Sequence, residues 1–213
     1  MKIGVIGSGV VGQQLGIGFI KIGHEVKIGT RDSSKLIEWL KIVNEKGSVG
    51  SFEETAKFGE VIIIATLWKG IENAIELAGL ENFTNKVVID VTNPLDFSQG
   101  VPPRFLASVG NSGGEIIQRI LADSKVVKAF NFVSAYIMCN PKRDEGMPTF
   151  FVAGDDEDAK KVVINFAREF GWDDISDIGG MEESIWMETL AMFWIHYGFK
   201  NNHWVHAFKL LKK

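Results

Sequence analysis

The chain has 213 residues, 46% of them apolar, enough for a substantial core and too apolar for a disordered segment. Its formal net charge is −4, and no basic run occurs apart from Lys209, Lys212 and Lys213 at the end, so nucleic acid is not an expected partner. The single cysteine, Cys139, excludes an intrachain disulfide and a thiolate metal cluster and fits a reducing cytosol.

The start of the chain is Met1, which leads directly into an apolar run and leaves no room for a signal or transit peptide. The apolar stretches at 61–67 and 190–195 are too short to cross a bilayer. A soluble, cytoplasmic protein with no membrane partner is therefore expected.

Lys2–Ile6 reads as a buried parallel strand. Gly7-Ser8-Gly9-Val10-Val11-Gly12 follows, a G-x-G-x-x-G set where a strand turns into a helix. From Val11 the apolar positions Leu15, Phe19 and Ile22 recur at helical spacing, Gly23-His24 stops the helix, and residues 26–28 form a second strand. Each glycine has a task in that setting. Gly7 permits the tight turn, Gly9 lets a pyrophosphate approach the backbone, and Gly12 lets helix and strand pack closely. The helix N-terminus offers free N–H groups to the phosphates, so Gly7 to Gly12 form the candidate dinucleotide site.

The end of the second strand reads Gly29-Thr30-Arg31-Asp32-Ser33-Ser34-Lys35. No acid ends the strand to accept from a ribose 2′-hydroxyl, and Asp32 comes too late. A hydroxyl, a guanidinium and an ammonium at Thr30, Arg31 and Lys35 suit a 2′-phosphate, which selects NADP(H) over NAD.

A helix over 34–45 carries Leu36, Ile37, Leu40 and Val43 on its apolar face and ends before Gly47. Residues 48–50 form a brief third strand. Ser51 and Glu54 open the next helix as a capping box. The fourth strand, 61–65, ends in Thr66-Leu67-Trp68, with a helix over 71–77 after it. The fifth, 86–90, ends in Thr92-Asn93-Pro94, and residues 95–110 read as irregular.

A helix over 114–121 leads to the sixth strand at 125–130, followed by Asn131. Thr149–Ala153 is a further strand. Gly154-Asp155-Asp156 starts a helix through Phe170, residues 172–176 read as a last short strand, and 181–199 form a terminal helix apolar on most faces and hence buried.

This alternation predicts an α/β fold: a doubly wound, mostly parallel Rossmann-like sheet with a C-terminal helical tail. One domain over 1–213 is expected, its dinucleotide-binding sheet within 1–150 and its completion and tail within 151–213. Ligands of such sheets lie outside the carboxyl ends of the strands. Thr66, Leu67, Trp68, Thr92, Asn93 and Asn131 are therefore expected in one crevice with the glycine-rich turn.

The order of GxGxxG, Gly-Thr-Arg at 29–31, VIIIATLW, VVIDVTNP, KVVKAFN, FFVAGDDEDAKK and Gly-Gly-Met-Glu-Glu-Ser resembles the F420-dependent NADP oxidoreductase family over nearly the whole chain. It is also similar to the oxidoreductase domain of the STEAP metalloreductases. The resemblance implies hydride transfer between NADP(H) and coenzyme F420, a deazaflavin, stacked on the nicotinamide; FMN or FAD could serve as a flavin-type co-substrate. It implies NADP contacts at Ser8, Gly9, Val10, Val11, Thr30, Arg31, Lys35, Thr66, Leu67, Gly70 and Ala135, and a homodimer. Two positions depart from the family's archaeal members: Asn131 stands where they carry His, and Leu67 where they carry Pro.

Other readings of single motifs are weaker. Gly110-Asn111-Ser112-Gly113-Gly114 matches a hydrolase nucleophile elbow, but Ser112 and Glu115 also form a helix-starting capping box. His196, His203 and His206 lack a carboxylate or thiolate at metal-site spacing, so no metal is expected. Cys139 reads as an inert thiol.

A non-catalytic NADP(H) sensor, or a reductase of a small imine or carbonyl, are the alternatives. No Lys or His general acid is evident at a strand end, which weakens carbonyl reduction. Hydride transfer to a flat ring needs orientation instead, for which Thr66, Asn93 and Asn131 are the candidates; no acid–base catalyst is named.

Overall fold

The computed structural model describes residues 1–212, so Lys213 lies outside the described residues. The first strand, β1 (Lys2–Ile6), is buried along all but its first residue, as a central parallel strand covered on both faces must be. Helix α1 (Val10–Lys21), strand β2 (Glu25–Gly29), helix α2 (Ile37–Val43) and strand β3 (Gly47–Gly50) follow. The chain then crosses back through α3 (Phe52–Phe58) to β4 (Val61–Ile64), and through α4 (Ile71–Ala78) to β5 (Val87–Asp90). A small hairpin, β6 (Leu95–Asp96) with β7 (Arg104–Phe105), precedes α5 (Gly113–Ile120) and β8 (Lys125–Ala129). The last elements are β9 (Thr149–Ala153), α6 (Glu157–Glu169), β10 (Asp174–Asp177) and α7 (Ser184–Asn201).

Among the described residues eight strands form one sheet in the order β10-β9-β8-β5-β4-β1-β2-β3, parallel except where β9 runs antiparallel to β8. This is the expected doubly wound, mostly parallel sheet. The winding reverses between β1 and β4, whose residues pair in register from Ile3 with Val61 to Ile6 with Ile64.

Side chains alternate across the sheet. Ile3, Val5 and Ile63 pack with Leu15, Phe19, Trp39 and Phe166 on one face. Ile6, Ile62 and Ile64 pack with Ala56, Ile75 and Ile117 on the other. Burying a single Val, Leu, Ile or Phe side chain is worth about 1.5–3 kcal/mol, so these two layers dominate the driving force.

Four expectations need correction. Residues 95–110 are not wholly irregular, because β6 and β7 pair Leu95 with Phe105 and Asp96 with Arg104. Strands of two residues carry no periodicity to read. The 34–45 helix divides into a 3₁₀ turn, Ser33–Leu36, the short α2, and a second 3₁₀ turn. It buries Leu36, Trp39 and Val43, whereas Ile37 and Leu40 face solvent. The last strand is Asp174–Asp177; Trp172 is instead a core residue whose indole N–H donates to the Met138 carbonyl at 2.8 Å.

The terminal helix is only partly buried. Ile185, Met187 and Ala191 are covered, but Trp186 and Phe193 are 56% and 61% exposed in the single chain. The segment that follows α7 folds back on it. His206 lies flat on Trp194 with ring centroids 4.7 Å apart, and its two ring nitrogens face the carbonyls of His203 and Trp194.

Candidate functional site

The turn from β1 to α1 makes the base of the site. Gly7 sits at φ 127°, a left-handed conformation that strains any other residue. Gly12 is pressed beneath it: a Cβ there would stand 2.1 Å from the Gly7 carbonyl oxygen. Gly9 is the opposite case, with nothing within 4 Å of where its Cβ would be. Of the three glycines, then, two serve the chain's own packing and one keeps a space open.

Helix α1 begins at Gly9 with no side-chain cap and no acidic residue in its first turn. By contrast, Ser51 with Glu54 caps α3 and Ser112 with Glu115 caps α5. The first N–H groups of α1 therefore stay available to an anion, favoured further by the helix dipole.

A crevice of about 790 Å³ opens above this turn. It is lined on one side by Gly7, Ser8, Gly9, Val10 and Val11, and beyond β2 by Thr30, Arg31 and Lys35. Thr66, Leu67, Trp68 and Gly70 join it from the end of β4, and Thr92 and Asn93 from the end of β5. The Ser8 and Thr30 hydroxyls stand 2.9 Å apart. Asp32 also lines the crevice, but its carboxylate accepts from the Ser34 hydroxyl at 2.5 Å and from the Ser34 N–H at 3.1 Å. Those bonds hold its carboxyl below the usual range and engage one of its two oxygens.

Three predicted residues lie elsewhere. Gly12 is buried under Gly7 and does not border the crevice. Asn131 and Ala135 line a second hollow of about 300 Å³ that adjoins the first, sharing Val11, Val91 and Asn93 with it. Its other walls include Ser134, Tyr136, Ala191, Trp194, Ile195 and Trp204. Asn131 is set there because Phe130, at φ 61°, turns the chain sharply at the end of β8. Such a conformation costs about 1–3 kcal/mol and persists only where packing enforces it; Phe130 is wholly buried against Phe150.

Asn93 and Asn131 connect the two hollows. Asn93 Nδ2 donates to the Asn131 carbonyl at 2.8 Å, and Asn131 Nδ2 donates to Asn93 Oδ1 at 2.9 Å. Asn131 Oδ1 is left buried with no hydrogen-bond partner, as is the Thr66 hydroxyl oxygen. An unmatched buried polar atom costs about 1–3 kcal/mol, and these two stand at strand ends beside the two hollows.

Beneath Thr92 lies a cluster not anticipated from sequence. Lys128 of β8, Asp90 of β5 and Glu188 of α7 are all fully buried. The Lys128 ammonium donates to Asp90 at 2.8 Å and to the Thr92 carbonyl at 2.7 Å, and it meets Glu188 at 2.8 Å. Burial alone would lower its pKa, but the two carboxylates outweigh burial and raise it. Removing one partner of a buried ion pair costs about 3–5 kcal/mol. The signal in sequence was a lysine inside the apolar run KVVKAF and an aspartate closing VVID. Phe52, Asn73 and Phe97 were also missed among the crevice residues.

The other candidates resolve structurally. Ser112 is wholly buried, shared between Glu115 and Ser184 as a helix cap. Burial pushes the Cys139 thiol up to about 12, which makes it an inert packing residue against Gly18. Among the described residues no helix is long and apolar enough to cross a membrane, and no group of three or more metal-ligating side chains gathers.

Comparison with known proteins gives the same picture. The family model described as "NADP oxidoreductase coenzyme F420-dependent" matches residues 2–94, from β1 to the Asn93-Pro94 turn. The F420-dependent NADP reductase of Methanocaldococcus jannaschii is 29% identical, over 90% of this chain and 89% of the relative. Metalloreductase STEAP3 of Rattus norvegicus is 26% identical over 90% of this chain, which spans only 36% of that longer relative. A crystal structure from Arthrobacter sp. FB24, provisionally named an F420-dependent NADP-reductase, superposes with a TM-score of 0.93 at 33% identity, covering all of both chains. By sequence and by fold alike, the chain belongs to the F420-dependent NADP oxidoreductase family.

Proposed function

We propose that this chain is an NADP(H)-dependent oxidoreductase that transfers a hydride between the nicotinamide and a deazaflavin, coenzyme F420, or another flavin-type acceptor. The observation that carries the reading is the junction of the two hollows at Val11, Val91 and Asn93. A crevice with a dinucleotide's features opens there onto an aromatic-walled space fit for a second flat ring.

The residues present fit the cofactor. The open space at Gly9 and the uncapped start of α1 suit a pyrophosphate. Thr30, Arg31 and Lys35 would take the 2′-phosphate, with Arg31 able to bind it bidentately. The strands that lead to Arg31 and Asn93, β2 and β5, are three positions apart in the sheet, about 14 Å at ordinary strand spacing, which separates the two ends of the site. Bound here, NADPH would supply the hydride from its nicotinamide ring. The chain's own part is to orient: the Thr66 hydroxyl and Asn131 Oδ1 hold free acceptor capacity for the ring's polar groups, and Trp68 helps shield that end.

Lys128 is not a free acid, because Asp90, Thr92 and Glu188 engage all three of its protons. That speaks against the small imine or carbonyl reductase and for an acceptor that needs stacking and orientation. A homodimer belongs to the same reading: Trp186, Phe193 and Tyr197 leave an apolar stripe exposed along α7. The test follows NADPH absorbance with purified protein and F420, FMN or FAD in separate reactions. Oxidation with F420 is expected; tight NADPH binding with no oxidation by any of them would leave a sensor instead.

A further inference from the structure

The crevice floor and the far wall of the second hollow come from distant parts of the chain. Asn93, on the shared border, follows the end of β5, while Ala191, Trp194 and Ile195 come from α7. The buried cluster joins them. On the β5 side, Asp90 Oδ1 accepts from the Thr92 N–H at 2.8 Å and from its hydroxyl at 2.7 Å, while Lys128 donates to the Thr92 carbonyl. Thr92, the residue before Asn93, is thus gripped at both main-chain groups. On the α7 side, Lys128 meets Glu188 Oε1, and the Glu188 carboxylate also accepts the N–H groups of Gly113 and Gly114, each at 3.0 Å. Ala191 and Ile195 lie one and two helical turns beyond Glu188 on the same face.

Stability alone accounts poorly for this cluster, since well-packed apolar side chains of similar volume are often as stable as a buried ion pair or better. What an apolar cluster lacks is direction. An ammonium with three acceptors at fixed angles sets the position of every element that supplies one.

We propose that Lys128 is a positioning residue: it locks the Thr92–Asn93 strand end to the terminal helix as one unit, so that the two hollows keep a constant spacing. The claim rests on the oxidoreductase reading for its kinetic consequence and on the fold alone for its mechanical one.

The test compares Glu188→Gln and Lys128→Met with Ser184→Ala, which removes the Ser112–Ser184 contact between α5 and α7 without touching the cluster. In single turnovers of NADPH with F420, Glu188→Gln and Lys128→Met should slow hydride transfer at least about 30-fold, as expected for small misplacement of reacting groups. NADPH affinity should stay within about threefold, because the ground-state contacts to phosphate remain. Ser184→Ala should lower the melting temperature and leave the rate constant within about twofold. A merely structural cluster would reduce the active fraction and not the rate constant.

Amide hydrogen exchange gives the second readout, independent of turnover. In Glu188→Gln the side chain keeps one acceptor oxygen for the two N–H groups of Gly113 and Gly114, so one of them loses its partner directly; the Thr92 amide loses none, yet it should also exchange at least about tenfold faster if the cluster opens as a unit. Unchanged exchange at Thr92, or a Glu188→Gln rate constant no lower than that of Ser184→Ala, would overturn the proposal. Should Lys128→Met fail to fold, Glu188→Gln decides alone. Should the wild type fail to oxidise NADPH with F420, FMN or FAD, the functional reading falls and the exchange experiment still decides the mechanical claim.

Discussion

Asn93 and Asn131, from the ends of neighbouring strands, bind each other amide to amide, and the exchange leaves Asn131 Oδ1 buried and unmatched. An acceptor held at fixed position and already stripped of water costs nothing further to orient when a donor arrives. Asn131→Ala should therefore lower the rate of NADPH oxidation about 100- to 1,000-fold, the span seen when one preorganised hydrogen-bonding group at a reacting centre is removed. Steady-state kinetics check this. An unchanged kcat would show that the orphaned oxygen faces nothing in the complex.

Arg31 should separate the two nicotinamide dinucleotides. Its side chain lines the crevice with Thr30 and Lys35, and the one acid beside them, Asp32, is turned by Oδ1 onto Ser34. Arg31→Ala should weaken NADPH binding about 10- to 100-fold through the loss of charge-assisted bonds, and leave NADH binding nearly unchanged. Titration calorimetry with both cofactors tests it; equal losses would refute the 2′-phosphate assignment.

The glycines of the first turn should part company on mutation. Gly9→Ala adds a methyl group to open space, so the apoprotein's melting temperature should hold while NADPH affinity falls. Gly12→Ala drives a methyl group to 2.1 Å from the Gly7 carbonyl oxygen. Overpacking of that kind costs about 1–3 kcal/mol and should show in thermal melts without any ligand.

Much of this was legible beforehand because it is local. The glycine-rich turn, both capping boxes and the strand ends at Thr66 and Thr92 depend on a few neighbouring residues, and the structure has them as read. What escaped depends on long-range partners. Lys128 reads as an interruption of an apolar strand until Asp90 and Glu188 are brought beside it. Asn131 was expected with the glycine-rich turn, but the left-handed Phe130 diverts it into the adjoining hollow. The apolar faces of α7 read as buried because composition cannot say whether a side chain is covered by its own chain.

One carboxylate helps to hold the segment after α7. Asp174 accepts from Lys209 at 2.7 Å and from the Thr149 hydroxyl, with Lys212 nearby, and these hold its pKa at about 2. A depressed carboxylate pKa adds stability that is complete above the unfolded value, 3.8, and is lost as pH falls through the folded one. Wild type should therefore melt higher than Asp174→Asn near neutrality, and the difference should vanish as pH falls from about 4 to about 2. A difference that persists at the acid end would assign the stabilisation to another group.

The most direct test of the central claim is a single turnover with NADPH deuterated at the transferable C4 position of the nicotinamide, mixed with oxidised F420. Direct transfer predicts that the deuterium appears on the reduced deazaflavin, with oxidation slowed by a primary isotope effect. Oxidation that leaves no deuterium in the product, or no oxidation at all, would contradict a site built to lay one ring over the other.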